Sequence, residues 1–304
     1  MSRPIAQIEE RSLLGIGLAL IAYVLFVTTD SLAKWLGLAG YSVLQIMFVR
    51  YAVHLVLTTT LSLRLQGPSF LRTRLPWFEL LRAAALLGTS VFNFTAVRYL
   101  PLTVTGAIGF TVPFIITILS VLFLREVVGW RRWTAIAVGF VGVLIIVRPG
   151  TELFNPATLL SLCGAICSAI YALVTRRLAG IDSTGTQQFY GAALPTLALA
   201  PFALFAWQWP ASALDWTVLL FIGLVGFTSH QAMTIAHRFA PASTLAPFGY
   251  TQIIFFAVSS WVVFNQPPDV WLYLGAPIVI ASGLYIWLRE RRLSKPVTPV
   301  VEER

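Results

Sequence analysis

Residues 80–150 read LLRAAALLGTSVFNFTAVRYLPLTVTGAIGFTVPFIITILSVLFLREVVGWRRWTAIAVGFVGVLIIVRPG. The stretch divides into three apolar runs joined by short, charged corners. The first run ends at Ala96-Val97-Arg98-Tyr99-Leu100-Pro101. The second holds Gly109, Thr111 and Pro113 and stops at Arg125-Glu126, and the third continues from Trp130 through Gly139 and Gly142 to Arg148. A diverged copy returns near the C-terminus. Ala96, Arg98, Pro101, Gly109, Thr111 and Ser120 recur at one constant offset as Ala236, Arg238, Pro241, Gly249, Thr251 and Ser260. After a shift of one residue, Trp130, Ala135, Val138, Gly142, Ile145 and Arg148 reappear as Trp271, Ala276, Val279, Gly283, Ile286 and Arg289. The chain is an internal duplication.

Composition sets the class. Charged residues make up 11% of the chain, hydrophobic residues 58%, and the mean hydropathy is +0.81. Too little polar surface exists to cover a water-soluble domain of this size, so the chain is an integral membrane protein. Cys163 and Cys167 sit inside one apolar run, where a small, weakly polar side chain simply packs, and no disulfide framework is implied.

A membrane-crossing helix needs about 20 predominantly apolar residues. Run lengths and turn residues place ten spans near 12–32, 43–63, 78–97, 102–124, 131–148, 157–176, 187–207, 216–236, 242–264 and 270–288. The fold class expected is an all-α integral membrane protein: ten transmembrane helices arranged as two inverted-topology five-helix repeats, 12–148 and 157–288. A cytoplasmic tail occupies 289–304, polar and disordered beyond Leu293. The first apolar run is followed by Thr28-Thr29-Asp30 rather than a small-residue cleavage site, which reads as an uncleaved helix. With the N-terminus cytoplasmic, most Lys and Arg residues fall on the cytoplasmic side, Arg64, Arg72, Arg131 and Arg177 among them. Lys34, Arg98 and Arg148 fall outside. This asymmetry places both termini in the cytoplasm of a cell inner or plasma membrane. It also accounts for the net charge of +9 without nucleic acid as a partner. Five spans per repeat is an odd number, so the repeats insert upside down relative to one another, as in many secondary transporters.

The elements Ala-Val-Arg-Tyr-Leu-Pro101, Pro113, Leu-Arg-Glu126-Val and the Gly139/Gly142 helix together resemble the EamA domain of the drug/metabolite transporter (DMT) superfamily. The resemblance covers nearly the whole chain as two domains. Arg125 stands where that family often has Gly. In the second copy Gln252 or Ile253 replaces the helix proline, and Gln266 replaces the glutamate. The resemblance implies a transporter of small organic metabolites with no ATP site or other cofactor, and no Gly-x-x-x-x-Gly-Lys loop occurs. Its partners are a small-molecule substrate and the lipid bilayer.

Polar side chains inside spans face the bundle interior or a water-filled cavity. Tyr23, Arg50, His54, Asn93, His230, Gln231, Tyr250 and Gln252 are the candidates for the substrate pathway, and they come from both repeats. Arg50 is either a fixed positive charge for a carboxylate- or phosphate-bearing solute, such as an amino acid-like metabolite, or a structural arginine that bonds carbonyls or snorkels outward; the transporter expected works by alternating access, as an exporter. His54 follows one turn later on the same face. Asp30 has Lys34 at i+4, the order that favours an interfacial ion pair or gate element. Glu126 ties a charged corner together. Arg98 with Pro101, Pro113, and Arg238 with Pro241 mark corners or kinks with gating or structural roles. Trp77, Trp130, Trp133, Trp216 and Trp271 form interfacial belts. Ala84-x-x-x-Gly88, Ala135-x-x-x-Gly139 and Gly223-x-x-Gly226 allow close helix approach, within the bundle or across a homodimer.

Two other readings compete with a selective metabolite transporter. A broad-specificity drug exporter of the same fold would bind through apolar and aromatic walls and tolerate loss of Arg50. An integral membrane enzyme acting on lipid-linked substrates would need clustered catalytic groups. His54, His230 and His237 have no metal-ligand spacing, so no metal is expected, and the loops are too short for a soluble active site.

Overall fold

A computed structural model describes residues 5–124, 129–148, 155–178, 181–205, 207–240 and 245–293. All regular structure among them is helical. The helices are α1 (Ile5–Leu38), α2 (Val43–Gln66), α3 (Pro76–Tyr99), α4 (Leu102–Gly109), α5 (Val112–Leu124) and α6 (Trp130–Val147). The second repeat supplies α7 (Ala157–Leu178), α8 (Thr184–Phe205), α9 (Ala213–Phe239), α10 (Gln252–Phe264) and α11 (Val270–Leu293). Short 3-10 helices cover Gly67–Leu71 and Ala246–Thr251. Eight segments among the described residues are long and apolar enough to cross a membrane, and two shorter apolar helices span Trp133–Val147 and Phe248–Phe264.

Local chemistry sets the helix ends. Gly40, at φ +99°, turns the chain after α1, and the Ser42 hydroxyl accepts from the Leu44 amide to start α2. Pro76 opens α3, Asn155 caps α7 through the Ala157 amide, and Ser212 caps α9 through the Asp215 amide. The first helix outruns the expected 12–32 boundary because no breaker occurs before Ala39-Gly40. Asp30 therefore lies eight residues inside the end of α1, roughly 12 Å at 1.5 Å per residue.

The expected single fourth span is two helices. α4 stops at Gly109 and α5 starts at Val112, so Pro113 stands in the first turn of α5, where a missing amide costs little. The second repeat breaks at the matching place although it lacks that proline. There the 3-10 helix Ala246–Thr251 gives way to α10. In both breaks a threonine hydroxyl bonds the carbonyl three residues back, Thr111 to Ile108 and Thr251 to Phe248, each at 2.6 Å. This side-chain bond adds to the short i to i+3 backbone bonding at the break, where the Ile108 carbonyl also accepts from the Thr111 amide at 2.9 Å.

Packing follows the duplication. The most extensive contacts join α3 to α7, α1 to α9, α6 to α11 and α2 to α8. Overlaying the repeats maps α1 onto α7 and α3 onto α9, so the first two pairings are one contact repeated. The other two pair equivalent helices with each other. Small residues make these crossings possible. A Cβ at Gly88 would meet Cys167 of α7, one at Gly223 would meet Val53 of α2, and one at Gly139 would meet Phe114 and Ser282. These patches serve packing within the chain. Large apolar side chains such as Leu197, Phe205 and Trp261 lie exposed, as expected where lipid is the solvent. Trp77, Trp130, Trp133, Trp216 and Trp271 are exposed too. The corner holding Glu126, the 149–150 turn, Pro241 and the tail beyond Leu293 lie outside the described residues, as does the side chain of Arg238.

Candidate functional site

A cavity of about 250 Å³ lies where the two broken helices meet. The first repeat contributes Asp30 from α1, Thr89 and Asn93 from α3, and Thr105, Gly109 and Phe110 from α4 and its break. The second contributes Ser161, Gly164 and Ser168 from α7, with Gln252 and Phe256 from α10. Phe256 approaches α4 at Gly106, where no Cβ could be accommodated. The Phe110 and Tyr250 rings, one from each break, lie 5.3 Å apart and close one wall. Gly109 has open space where a Cβ would point.

Asn93 and Gln252, both predicted from sequence, line this cavity. Asn93 Nδ2 donates to Asp30 Oδ1 at 3.0 Å. Asp30 is half-buried and shares the lining. The expected pairing with Lys34 is not what forms. Lys34, 2% exposed, donates to the Leu100 carbonyl at 2.7 Å and to Gln266 Oε1 at 2.8 Å, with its ammonium 5.0 Å from the centre of the Phe264 ring. Among the described residues no ion pair joins it to Asp30. The physical reason is depth: the carboxylate lies beside the cavity, while the longer lysine side chain reaches the helix-end corners. There it links α1 to the α3–α4 corner and to the α10–α11 corner, and a Ser31–Ser259 hydroxyl contact at 2.6 Å adds a second tie between α1 and α10.

Arg50 lies behind this cavity rather than in its lining. It is buried, donates to Ser90 Oγ at 3.1 Å, and sits over the rings of Tyr51 and Phe94. Among the described residues it makes no ion-pair contact with Asp30. His54 and His230 pack near it as tilted rings with centroids 5.7 Å apart, His54 edge-on to Phe227 and His230 edge-on to Phe26. Both ring nitrogens of His54 are buried without a hydrogen-bond partner among the described residues. Tyr23 packs against Ala236, Ala240 and Leu245, and its hydroxyl faces Gly249. Gln231 is half-buried on α9, outside the lining set. The Arg98 stem crosses Gly37 of α1, and Pro101 caps α4. Of the eight predicted pathway residues, Asn93 and Gln252 line the cavity beside Asp30; Arg50, His54 and His230 cluster behind it; and Tyr23, Gln231 and Tyr250 lie outside the lining.

A third polar group escaped the sequence reading. Glu79, fully buried, lies 3.7 Å from Arg82, which also donates to Thr175, Tyr171 and the Gln187 carbonyl. Its sequence trace was an acid and a base at i and i+3 inside an apolar run. At the same end Asp182 accepts from Thr73 and the Arg74 amide, Ser183 donates to Gln66, and Tyr190 donates to the Leu71 carbonyl. These bonds join the α2–α3 connection to the α7–α8 connection.

A profile of the EamA-like transporter family matches residues 13–148 and again 155–288. The chain belongs to this family. Membership accounts for the two repeats, which the family profile matches one after the other. Among its relatives, a riboflavin transporter of Vibrio cholerae is 30% identical, covering 95% of this chain and 97% of its own. An S-adenosylmethionine uptake transporter of Rickettsia bellii is 28% identical over 93% and 97%. A pseudopaline exporter of Pseudomonas aeruginosa is 26% identical over 88% and 94%. A solved crystal structure of a protein 16% identical in sequence superposes with a TM-score of 0.64, covering 94% of this chain and 99% of that one, and it shares the fold. The family and its named members are transporters, so this EamA-like chain is a multi-pass membrane transport protein whose partner is a small molecule.

Proposed function

We propose that the protein is a ten-span secondary transporter that carries a small organic metabolite by alternating access, with its two repeats inserted in opposite orientations. The observation that carries this reading is the polar cavity, lined from both repeats at the meeting of two helix breaks, in a chain of the EamA-like family. Midplane sites bounded by discontinuous helices are the usual construction in inverted-repeat transporters. Taking α4–α5 as one span, the 3-10 helix with α10 as another, and α6 as a third gives ten. The repeated α1–α9 and α7–α3 contact supports a pseudo-twofold relation. Both termini are assigned to the cytoplasm from the distribution of basic residues.

The alternating step follows from the ties at each end. Opening beside Lys34 breaks its bond to Gln266 and the Ser31–Ser259 contact. Opening at the other end breaks the Asp182, Ser183 and Tyr190 bonds. A rocking motion about the helix breaks releases one set while keeping the other. Relatives named for uptake and for export both occur, so one architecture serves either direction.

A carboxylate- or phosphate-bearing solute, the expectation drawn from Arg50, has less support, because Arg50 bonds Ser90 and is not in the lining. Phe110 and Phe256 give the cavity aromatic walls, which favours a broad-specificity exporter as the second reading. Uptake into proteoliposomes of organic cations, neutral nucleosides, amino acids and organic acids, with a pH gradient imposed or collapsed, tests the proposal. Saturable transport reduced by Asn93→Ala and Gln252→Ala is expected. Absence of transport of every class by folded protein refutes it.

A further inference from the structure

We infer that Asp30 is the ligand for a positively charged group of the substrate, so that the cargo is an organic cation or a zwitterion held by its cationic end. This rests on the transporter reading above and narrows it.

The first observation is charge. Among the described residues Asp30 is the one ionisable group in the cavity lining, which otherwise consists of hydroxyls, amides, small residues, Val112 and two phenylalanines. The second is unused bonding capacity. A carboxylate offers about four lone-pair positions, and Asn93 occupies one of them. The neighbouring hydroxyls do not serve the rest, because Thr29 bonds back to the Leu25 carbonyl and Ser31 to the Val27 carbonyl. Lys34, the nearest cation on the same helix face, bonds Leu100 and Gln266 instead. Arg50 is bound to Ser90 and makes no ion pair with Asp30 among the described residues. The carboxylate consequently faces the cavity without an ion-pair partner among the described residues. Charges in such surroundings are costly unless paired, and a cationic solute supplies the pair.

The surroundings suit that ligand. Phe110 and Phe256 bound the cavity, and a desolvated cation is attracted to an aromatic face. Hydroxyls of Thr89, Ser161 and Ser168, with the Gln252 amide, can accept from ammonium protons or bond the polar remainder of the solute. The cavity, about 250 Å³, is large enough for one small head group. Anions meet the opposite field, since any carboxylate or phosphate entering would lie beside Asp30.

The test uses the full-length protein in proteoliposomes, as wild type, Asp30→Asn and Asp30→Glu. Probes are choline, agmatine and S-adenosylmethionine as cations, riboflavin and uridine as neutral solutes, and glutamate and fumarate as anions. The inference expects wild-type transport of at least one cation, a loss of about thirtyfold or more in Asp30→Asn, substantial retention in Asp30→Glu, and neutral solutes spared. Wild-type transport confined to neutral or anionic probes overturns the inference and leaves the transporter reading standing. Equal loss of every class in Asp30→Asn also overturns it, in favour of a structural or proton-coupling carboxylate. Transport of no class overturns both. Should Asp30→Asn fail to fold, the melting temperature of wild type is compared with choline and with its neutral carbon isostere, dimethylbutanol. A larger upward shift with choline supports the inference, and equal shifts overturn it.

Discussion

Replacing Lys34 by Met keeps an unbranched stem, one atom shorter, but removes the ammonium, which ties α1 to the Leu100 carbonyl and to Gln266. Hydrogen bonds to charged groups contribute about 1.5–3 kcal/mol each. Against them stands the cost of holding a 2% exposed ammonium away from water, several kcal/mol. Methionine removes both, and what remains is the penalty for two acceptors left without a donor, about 1–3 kcal/mol apiece. Water reaching the corner would recover part of this. The net loss to the state closed at this end is about 2 kcal/mol, or roughly thirtyfold in the closed-to-open ratio. The assay is modification of a cysteine placed at Ser161, in a background lacking Cys163 and Cys167, by a membrane-impermeant thiol reagent added from the Lys34 side. Lys34→Met should raise the labelling rate by about an order of magnitude or more, while labelling from the opposite side falls. An unchanged rate from both sides would refute the argument that Lys34 holds this end shut.

Three further outcomes follow from the geometry. Gly283 faces the Tyr250 hydroxyl where a Cβ would have to sit, so Gly283→Ala should cost about 1–3 kcal/mol in detergent melting. Gly17, with open space around it in α1, should tolerate Ala with no loss. Arg82→Leu leaves Glu79 buried without its cation and should cost about 3–5 kcal/mol, with much of the loss recovered in the Glu79→Gln, Arg82→Leu double variant. A double variant no better than the single one would count against the pairing. Thr111→Val and Thr251→Val each remove one hydroxyl bond at a helix break and should cost about 1 kcal/mol. If the two breaks act as matched hinges, both should slow transport by similar factors, and an effect confined to one repeat would deny the match.

How much of this was legible beforehand differs from residue to residue. Asn93 and Gln252 were identifiable as pathway candidates because an amide deep in an apolar run has few places to go except an interior cavity. Asp30 lines the cavity instead of lying at a helix end because α1 runs on to Leu38, six residues past the expected boundary at 32. Depth alone leaves Arg50 open between a substrate ligand and a structural arginine, because it cannot reveal that Ser90, Tyr51 and Phe94 surround it. The second helix break was hidden because its sequence lacks the proline at the equivalent position.

By itself, the amino-acid sequence determined that this chain is a duplicated, all-helical membrane protein of the EamA-like kind. Apolar run length, corner residues and the recurrence of Ala96, Arg98, Pro101, Gly109 and Thr111 are local, one-dimensional properties, and the bilayer leaves helices as the way to satisfy their backbone. Tertiary structure alone decided which polar side chains share a space. Asp30, Asn93, Ser161 and Gln252 belong to four helices far apart in the chain. Their meeting depends on crossings set by small residues and on two helix breaks facing one another. The same three-dimensional placement turned Lys34 away from Asp30 and set Arg50 behind the wall, because side-chain reach and helix rotation, rather than spacing along the chain, select each partner.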